Sequence, residues 1–329
     1  MADPNTSSRW MWKYETVPGT TEIDAVDDVT YEFGEYDDQV QQWAAQAIEN
    51  GISPYWKYSV RTPTAVSTLR TFPTFKHLYN PTTPNFLVDI LGNVTDATPD
   101  TIVACTPAQT QYPKTVRFEE GDEGTNDKLI QAIGCYTVGV FVSHTLGKNM
   151  LVDQEFAFQS IEDQGDQSLL TTDPTAAGGE TLLPYVTPIV TYDHGGGGEE
   201  ILDLISKVEY RINQNYSAGR AAAGTTQTIY KTTYELIDII LYGLIPSNVV
   251  WNQYFDRTVK DYEVKHLKPN GTDYLACQFN NCRIGKVSKT ATKFQGWSTI
   301  TIPLKAETVD VTFNFDGTNF STHFKGVVV

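Results

Sequence analysis

Two stretches of this chain carry the same landmarks in the same order. Gly124-Thr125, Gln131 and Cys135 recur as Gly271-Thr272, Gln278 and Cys282, each displaced by 147 positions. Each set runs into an alternating segment, a glycine and a second alternating segment. In the first copy these are Tyr136 to Val142, Gly147 and Met150 to Phe158. In the second they are Ile284 to Ser288, Gly296 and Trp297 to Leu304. The two glycines differ by 149, so the repeat needs a two-residue indel. Short apolar helices are expected upstream of each set, at Phe86 to Gly92 and Leu236 to Leu241, with Asp89 and Asp238 again 149 apart. A repeat at this period predicts a duplicated domain. Between Asp163 and Gly179 the chain is polar and broken by Pro174, Gly178 and Gly179, which sets the expected division at residues 1–165 and 166–329.

Period-two patterning makes the repeated unit a sheet. Ile300, Ile302 and Leu304 share one face, with Thr299 and Thr301 on the other. Val311, Phe313 and Phe315 alternate with Thr312 and Asn314, and Phe156 and Phe158 with Glu155 and Gln159. Such strands have one dry and one wet face. The abundance of Thr, Tyr, Phe, Val and Ile, with 24 Gly and 16 Pro, points the same way. The expected fold class is mainly β with short flanking helices, arranged as two tandem domains, each a sandwich or barrel-like sheet with one packed helix. Further helices are expected over Asp38 to Glu49 and over Gly198 to Lys207, the latter with Glu199-Glu200 suiting a helix N-terminus.

Charge excludes several functions. The net charge is −16, so the chain is a poor candidate for gripping nucleic acid or an anionic lipid surface. No run reaches the 18 apolar residues of a membrane span, and Leu236 to Leu244 is interrupted by Asp238, so no membrane insertion is expected. The N-terminus reads as no signal peptide. Residues 1–165 carry 23 acids and 10 bases; residues 166–329 carry 17 and 14. Glu22 to Asp38 holds eight acids and no base, whereas Arg257 to Lys293 holds eight bases and three acids. Those two segments are complementary, the arrangement that favours head-to-tail contact between copies. The four cysteines form no CxxC pair and read as buried thiols in a reducing compartment rather than disulfides or a zinc site.

Motifs for chemistry are sparse. His194-Gly195-Gly196-Gly197-Gly198 is similar to an esterase oxyanion segment, but no Gly-x-Ser-x-Gly nucleophile accompanies it. It reads instead as a loop tip before a helix. There is no Walker A loop, Gly-x-Gly-x-x-Gly, His-Glu-x-x-His or EF-hand loop, and the five histidines lack ligand spacing. Glu119-Glu120 and Asp122-Glu123 read as a solvated hairpin tip rather than a glycosidase pair. The expectation is a non-enzyme without catalytic, cofactor or metal residues.

Several segments together resemble the tail tube (major tail) proteins of tailed bacterial and archaeal viruses. They are Lys13 to Thr20, with its Glu15-Thr16-x-x-Gly19-Thr20 pattern, then Ile90-Leu91-Gly92, Lys114 to Phe118, and Ala132 to Val138 leading to Phe158-Gln159. Gln278 to Val287 and Gly296 to Ala306 repeat the resemblance, and this chain departs from the simplest family form in having two such units. The resemblance implies tail-tube-like sandwiches that contribute strands to a shared inner β-barrel. It further implies rings stacked helically into a virion tail tube of the siphovirus kind, assembled in the host cytoplasm. The family's six domains per ring would here come from three chains, a homotrimeric, pseudo-hexameric ring. Implied partners are further copies of itself, the terminator, tape measure and distal tail proteins, and viral DNA passing an electronegative channel without specific binding. Candidate inter-subunit residues are Glu22, Asp24, Asp27, Asp28, Glu119, Glu120, Lys286 and Lys289. The competing reading is a two-domain β-sandwich tail-tip or adhesin protein that binds host surface glycans.

Overall fold

The computed structural model describes residues 9–15, 17, 19, 30–37, 44–47, 56–59, 67–71, 113–120, 128–165, 185–220, 227–234, 236–244, 248–294, 297–315 and 318–325. The N-terminal half supplies β1 (Arg9–Tyr14), β2 (Thr30–Asp37), β3 (Ala44–Ala47), β4 (Trp56–Ser59), β5 (Ser67–Thr71), β6 (Lys114–Glu120), β7 (Lys128–Thr145), β8 (Leu151–Ala157) and β9 (Ser160–Gly165). The C-terminal half supplies β10 (Thr187–Tyr192), β11 (Glu200–Ile201), β12 (Ile205–Arg220), β13 (Gln227–Tyr234), β14 (Ile237–Leu244), the helix α1 (Asn248–Asp256) and β15 (Lys260–Leu267). It continues with β16 (Tyr274–Ile284), β17 (Ser288–Phe294), β18 (Trp297–Ala306), β19 (Thr308–Phe315) and β20 (Thr318–Lys325). The chain is mainly β, as the alternation predicts.

One pairing scheme occurs twice. In the first half β2–β1–β6–β7–β9 form one antiparallel layer, and β2–β5–β8–β7 form a second. In the second half β11–β10–β15–β16–β19 correspond to the first layer, and β12–β14–β18–β16/β17 to the second. The registers match residue by residue. Gln131 faces Glu162 on β9 as Gln278 faces Asp310 on β19. Lys114 faces Cys135, next to a bulge, as Lys260 faces Cys282 next to a bulge. Val142 faces Val152 as Lys289 faces Ile300, and Tyr36 faces Leu69 as Val208 faces Leu241. The displacement is thus 147 along β7, 148 along β8 and β9, and 172 along β2 and β5. The two-residue indel inferred from Gly147 and Gly296 is corrected to one residue, because strand register, not glycine position, fixes equivalence.

The helix expectations fare less well. Leu236 to Leu241 is not a helix: Ile237–Leu244 is a strand with alternating burial. Ile237, Ile239 and Ile240 are β-branched, and the segment pairs on both edges, with β12 and β18. Gly198 to Lys207 is also not a helix; it holds the short β11, a turn and the start of β12. Four consecutive glycines leave too little helix propensity ahead of Glu199. Ala44–Ala47, inside the expected helix Asp38 to Glu49, is a strand paired with Trp56–Ser59, so non-local pairing overrides the alanines; the rest of that stretch and all of Phe86 to Gly92 lie outside the described residues. The helix that does form among the described residues, α1, follows β14. Its own Val250 is buried, and Gln253 fastens it: the Tyr262 hydroxyl donates to Gln253 Oε1 (2.7 Å) while Gln253 Nε2 donates to the Cys282 carbonyl (3.1 Å).

The main core lies between the two layers of the C-terminal half and extends under β7 and β8. From one layer come Val140, Val142, Val208, Tyr210, Ile239, Leu241, Ile302 and Leu304; from the other Val190, Tyr262, Val264, Leu275, Phe279 and Val311. Burial of each such side chain contributes about 1.5–3 kcal/mol.

Candidate functional site

The structural feature that no repeat argument supplies is the seam between the halves. The C-terminal part of β7 pairs antiparallel with β12 at seven positions, from Gly139↔Asn213 to Thr145↔Lys207. This contact fuses the second layers of the two halves into one run, β2–β5–β8–β7–β12–β14–β18–β17. Alternate residues of β7 and β12 (Val140, Val142, His144, Val208, Tyr210, Ile212) turn into the core.

The opposite face is wet and laced with ion pairs. Arg211 on β12 donates two hydrogen bonds to the Glu155 carboxylate on β8, each 2.7 Å, thereby tying the two halves together. Lys207 reaches Glu209 at 2.6 Å, and the Tyr242 hydroxyl donates to Glu209 at 2.6 Å. Burial alone would raise the Glu209 pKa, but the Lys207 and Tyr242 hydrogen bonds outweigh it and hold the carboxyl below its ordinary value. Tyr242 is pushed up to about 12 by burial and by Glu209. Lys305 pairs with Asp238 at 2.8 Å. Each exposed pair contributes only about 0–1 kcal/mol.

Behind the seam sits a buried polar chain. The rings of His144 (β7) and His266 (β15) stack with centroids 4.9 Å apart and bring their Nδ1 atoms to 2.6 Å, so one must donate and the other accept. His266 Nε2 lies 3.0 Å from the Tyr210 hydroxyl, which is 3.3 Å from Cys277 Sγ. Both histidines have no exposed surface. Burial lowers the His144 pKa to about 4; burial, and secondarily His144, takes His266 well below its ordinary value.

Two carboxylates organise the loops that follow β1 and β10. Buried Glu15 accepts from the Gly19 amide (2.6 Å), the Gly134 amide (2.8 Å) and the Thr115 hydroxyl (2.7 Å). This explains the Glu-x-x-x-Gly spacing near the N-terminus: the carboxylate closes its own turn and clamps it to β6 and β7. In the loop after β10, Asp193 accepts from Lys260 (2.8 Å) and the Gly198 amide (3.3 Å). A side chain at Gly196 would collide with the Asp193 carboxylate. The glycine run is therefore a turn wrapped around an acid, leading into a strand rather than a helix. His194 faces Glu263 at 3.5 Å and Glu199 at 3.9 Å.

The sequence-derived contact residues divide. Glu22, Asp24, Asp27 and Asp28 lie outside the described residues. Glu119 and Glu120 end β6, opposite Leu129 and Lys128, in the first layer; the tip between β6 and β7 lies outside the described residues. Lys286 is exposed in the break between β16 and β17, and Lys289 lies on β17, so both belong to the terminal edge of the fused layer. Among the described residues, no strand pairs with the other edge of β17, nor with the other edge of Gly34–Asp37 in β2. The seam, the histidine pair and α1 were missed. The 172-residue displacement of β2 and β5 could have revealed β12 and β14, but almost no residue identity accompanies it.

No family model matches the chain, and no curated protein matches it. Among solved structures, one match is the cap that terminates the tube of the anti-feeding prophage, seen by electron cryo-microscopy. It is 15% identical, covers 44% of this chain and 99% of its own, and superposes with a TM-score of 0.33. A TM-score that low does not establish a common fold.

Proposed function

We propose that this chain is a structural subunit of a viral tail tube, whose copies join edge to edge into rings that stack around a channel for genome passage. Each half, 1–165 and 166–329, acts as one tube domain, and three chains supply six domains per ring. One observation carries this reading: the two halves are already joined by an in-register sheet contact, β7 to β12, and the strands equivalent to that pair are the terminal ones of the fused layer. A contact that links unit one to unit two, and leaves unit two able to meet unit one of another copy, propagates. Ring closure removes the exposed edges that would otherwise aggregate.

In that ring the wet face of the fused layer forms the wall. From β8, β12, β14 and β18, Asp153, Glu155, Glu209 and Asp238 stand among Lys207, Arg211 and Lys305, so that part of the wall is polar and close to balanced. Negative potential for passing DNA comes from the chain's overall −16, and the lysines and arginine of the wall are engaged by carboxylates rather than offered to phosphates. Tail partners at either end and assembly in the host cytoplasm accompany this reading.

Negative-stain electron microscopy of the purified full chain tests it. Hollow tubes or stacked rings of uniform width are expected. Discrete trimers that bind glycans would favour a tail-tip adhesin, and monomers at every concentration would remove the tube reading.

A further inference from the structure

We propose that copies of this chain join through a helix-based contact, in which the acidic, apolar segment Glu199 to Leu204 of one copy docks into a basic, aromatic groove at the end of α1 in another. The contact uses neither edge of the fused layer, so it goes beyond the tube reading and is tested separately from it.

α1 buries Val250 and Gln253 and leaves aromatic rings toward solvent. Phe255 stacks on Trp251 with centroids 6.3 Å apart and meets Tyr254 edge-on at 5.5 Å. Phe255 is nevertheless 72% exposed, and Val259 just past the helix is 40% exposed. Between the end of α1 and the end of β16 lies an open groove of about 730 Å³, lined by Tyr254, Phe255, Val259 and Ile284 together with Arg257 and Arg283. Among the described residues, no acid lines it. Arg257 stands in the left-handed region (φ 54°), just past the helix, where glycine is the unstrained residue. The arginine is thus kept at the groove against its backbone preference. Exposed aromatic rings beside arginine are the composition of an interface centre rather than of a solvated face.

Charge and apolar exposure together select the occupant. Glu199 to Leu204 holds three acids and no base. Ile201 is 54% exposed and Leu204 45%, and Glu199 and Asp203 are exposed beside them. Leu202 is buried, and its amide donates to the Val190 carbonyl at 2.8 Å, which fixes the segment against β10. The segment is therefore a firm ridge with two aliphatic anchors flanked by carboxylates. Other exposed aliphatic side chains fit less well. Leu146 lies two residues from Lys148, and Leu236 two residues from Asp238, whose carboxylate is already paired with Lys305. The ridge does not fill the groove of its own chain: β10 and β15 stand between β11 and β16, and no ridge residue lines the groove. A ridge and a groove at different places on one chain make a head-to-tail contact, which propagates from copy to copy. Ile201 and Leu204 against Phe255 and Val259 supply affinity. Carboxylates opposite Arg257 and Arg283 set the orientation and disfavour basic surfaces.

Sedimentation of the purified full chain over a range of concentrations tests the contact. Replacing the anchors (Ile201→Thr with Leu204→Gln) or the groove (Phe255→Ala with Val259→Ala) should each weaken association at least about tenfold. Each variant keeps one intact side of the contact, so mixing the two should restore association that neither shows alone. Arg257→Glu with Arg283→Glu should weaken association likewise, and adding Glu199→Lys with Asp203→Lys should recover it. All of these positions are exposed, so urea midpoints should match wild type, which separates lost docking from a lost fold. Groove variants that weaken association while ridge variants do not would mean a different occupant and overturn the proposal. Association indifferent to both sets overturns it too. In either case hollow tubes by microscopy leave the tube reading standing. Dependence on ridge and groove in particles that form no tube supports the docking and counts against the tube. A wild-type chain that stays monomeric at every concentration overturns both.

Discussion

Acid should weaken the subunit through its buried histidine pair well before it protonates the carboxylates. His144 is held neutral by burial, with a pKa near 4, against an ordinary histidine value of about 6.5 in the unfolded chain. The folded state therefore resists a proton that the unfolded state accepts. The stability this confers is complete above about pH 6.5 and is lost as pH falls toward 4. Each pH unit in that window costs about 1.4 kcal/mol, so a drop from 6.5 to 5 removes about 2 kcal/mol through His144. His266, lowered by burial and by its neighbour, acts with the same sign. Domains are stable by only about 5–15 kcal/mol, so the change is large enough to measure. The assay is urea unfolding of dilute, unassembled subunit between pH 7.5 and 5, followed by tryptophan fluorescence. Wild type should lose stability steadily below pH 6.5. His144→Phe should start less stable at pH 7.5, because the His266 Nδ1 loses its 2.6 Å partner, yet show a shallower pH dependence. Identical profiles for wild type and variant would refute the reasoning.

Two further outcomes follow from the buried clamps and thiols. Glu15→Gln puts an amide donor where one of two carboxylate oxygens now accepts from Gly19, Gly134 and Thr115, and should lower stability by about 1.5–3 kcal/mol in a urea titration; an unchanged midpoint would dismiss the clamp. Burial pushes the thiols of Cys135, Cys277 and Cys282 upward, Cys277 to about 12, so in a Cys105→Ser background an aromatic disulfide reagent should leave native protein unlabelled and react with all three thiols in denaturant.

The strands were legible because their two faces differ. Ile300, Ile302 and Leu304 are buried while Thr301 and Lys305 on the other face are not, as period two requires. The repeat was legible in Gln131/Gln278 and Cys135/Cys282 because both pairs occupy matched ladder positions, and both cysteines are fully enclosed. Leu236 to Leu241 misled because a short run apolar on nearly every residue has no clear period, and only its two partner strands decide its state. The segment from His194 to Gly198 misled for a different reason: Asp193 and Lys260, 67 residues apart in sequence, determine what the glycines do. The seam was out of reach for the same cause. Nothing local in Gly139 to Thr145 or Lys207 to Asn213 says that these two segments, rather than others, lie side by side.

In the proposed tube, one chain contributes two equivalent units to a closed ring. Electron cryo-microscopy of tube cross-sections measures this directly. Six similar lobes around a hollow centre are expected, resolving at higher detail into three alternating pairs, since the halves share a pairing scheme but little sequence. A ring of six chains with twelve lobes, or particles without a central channel, would contradict it.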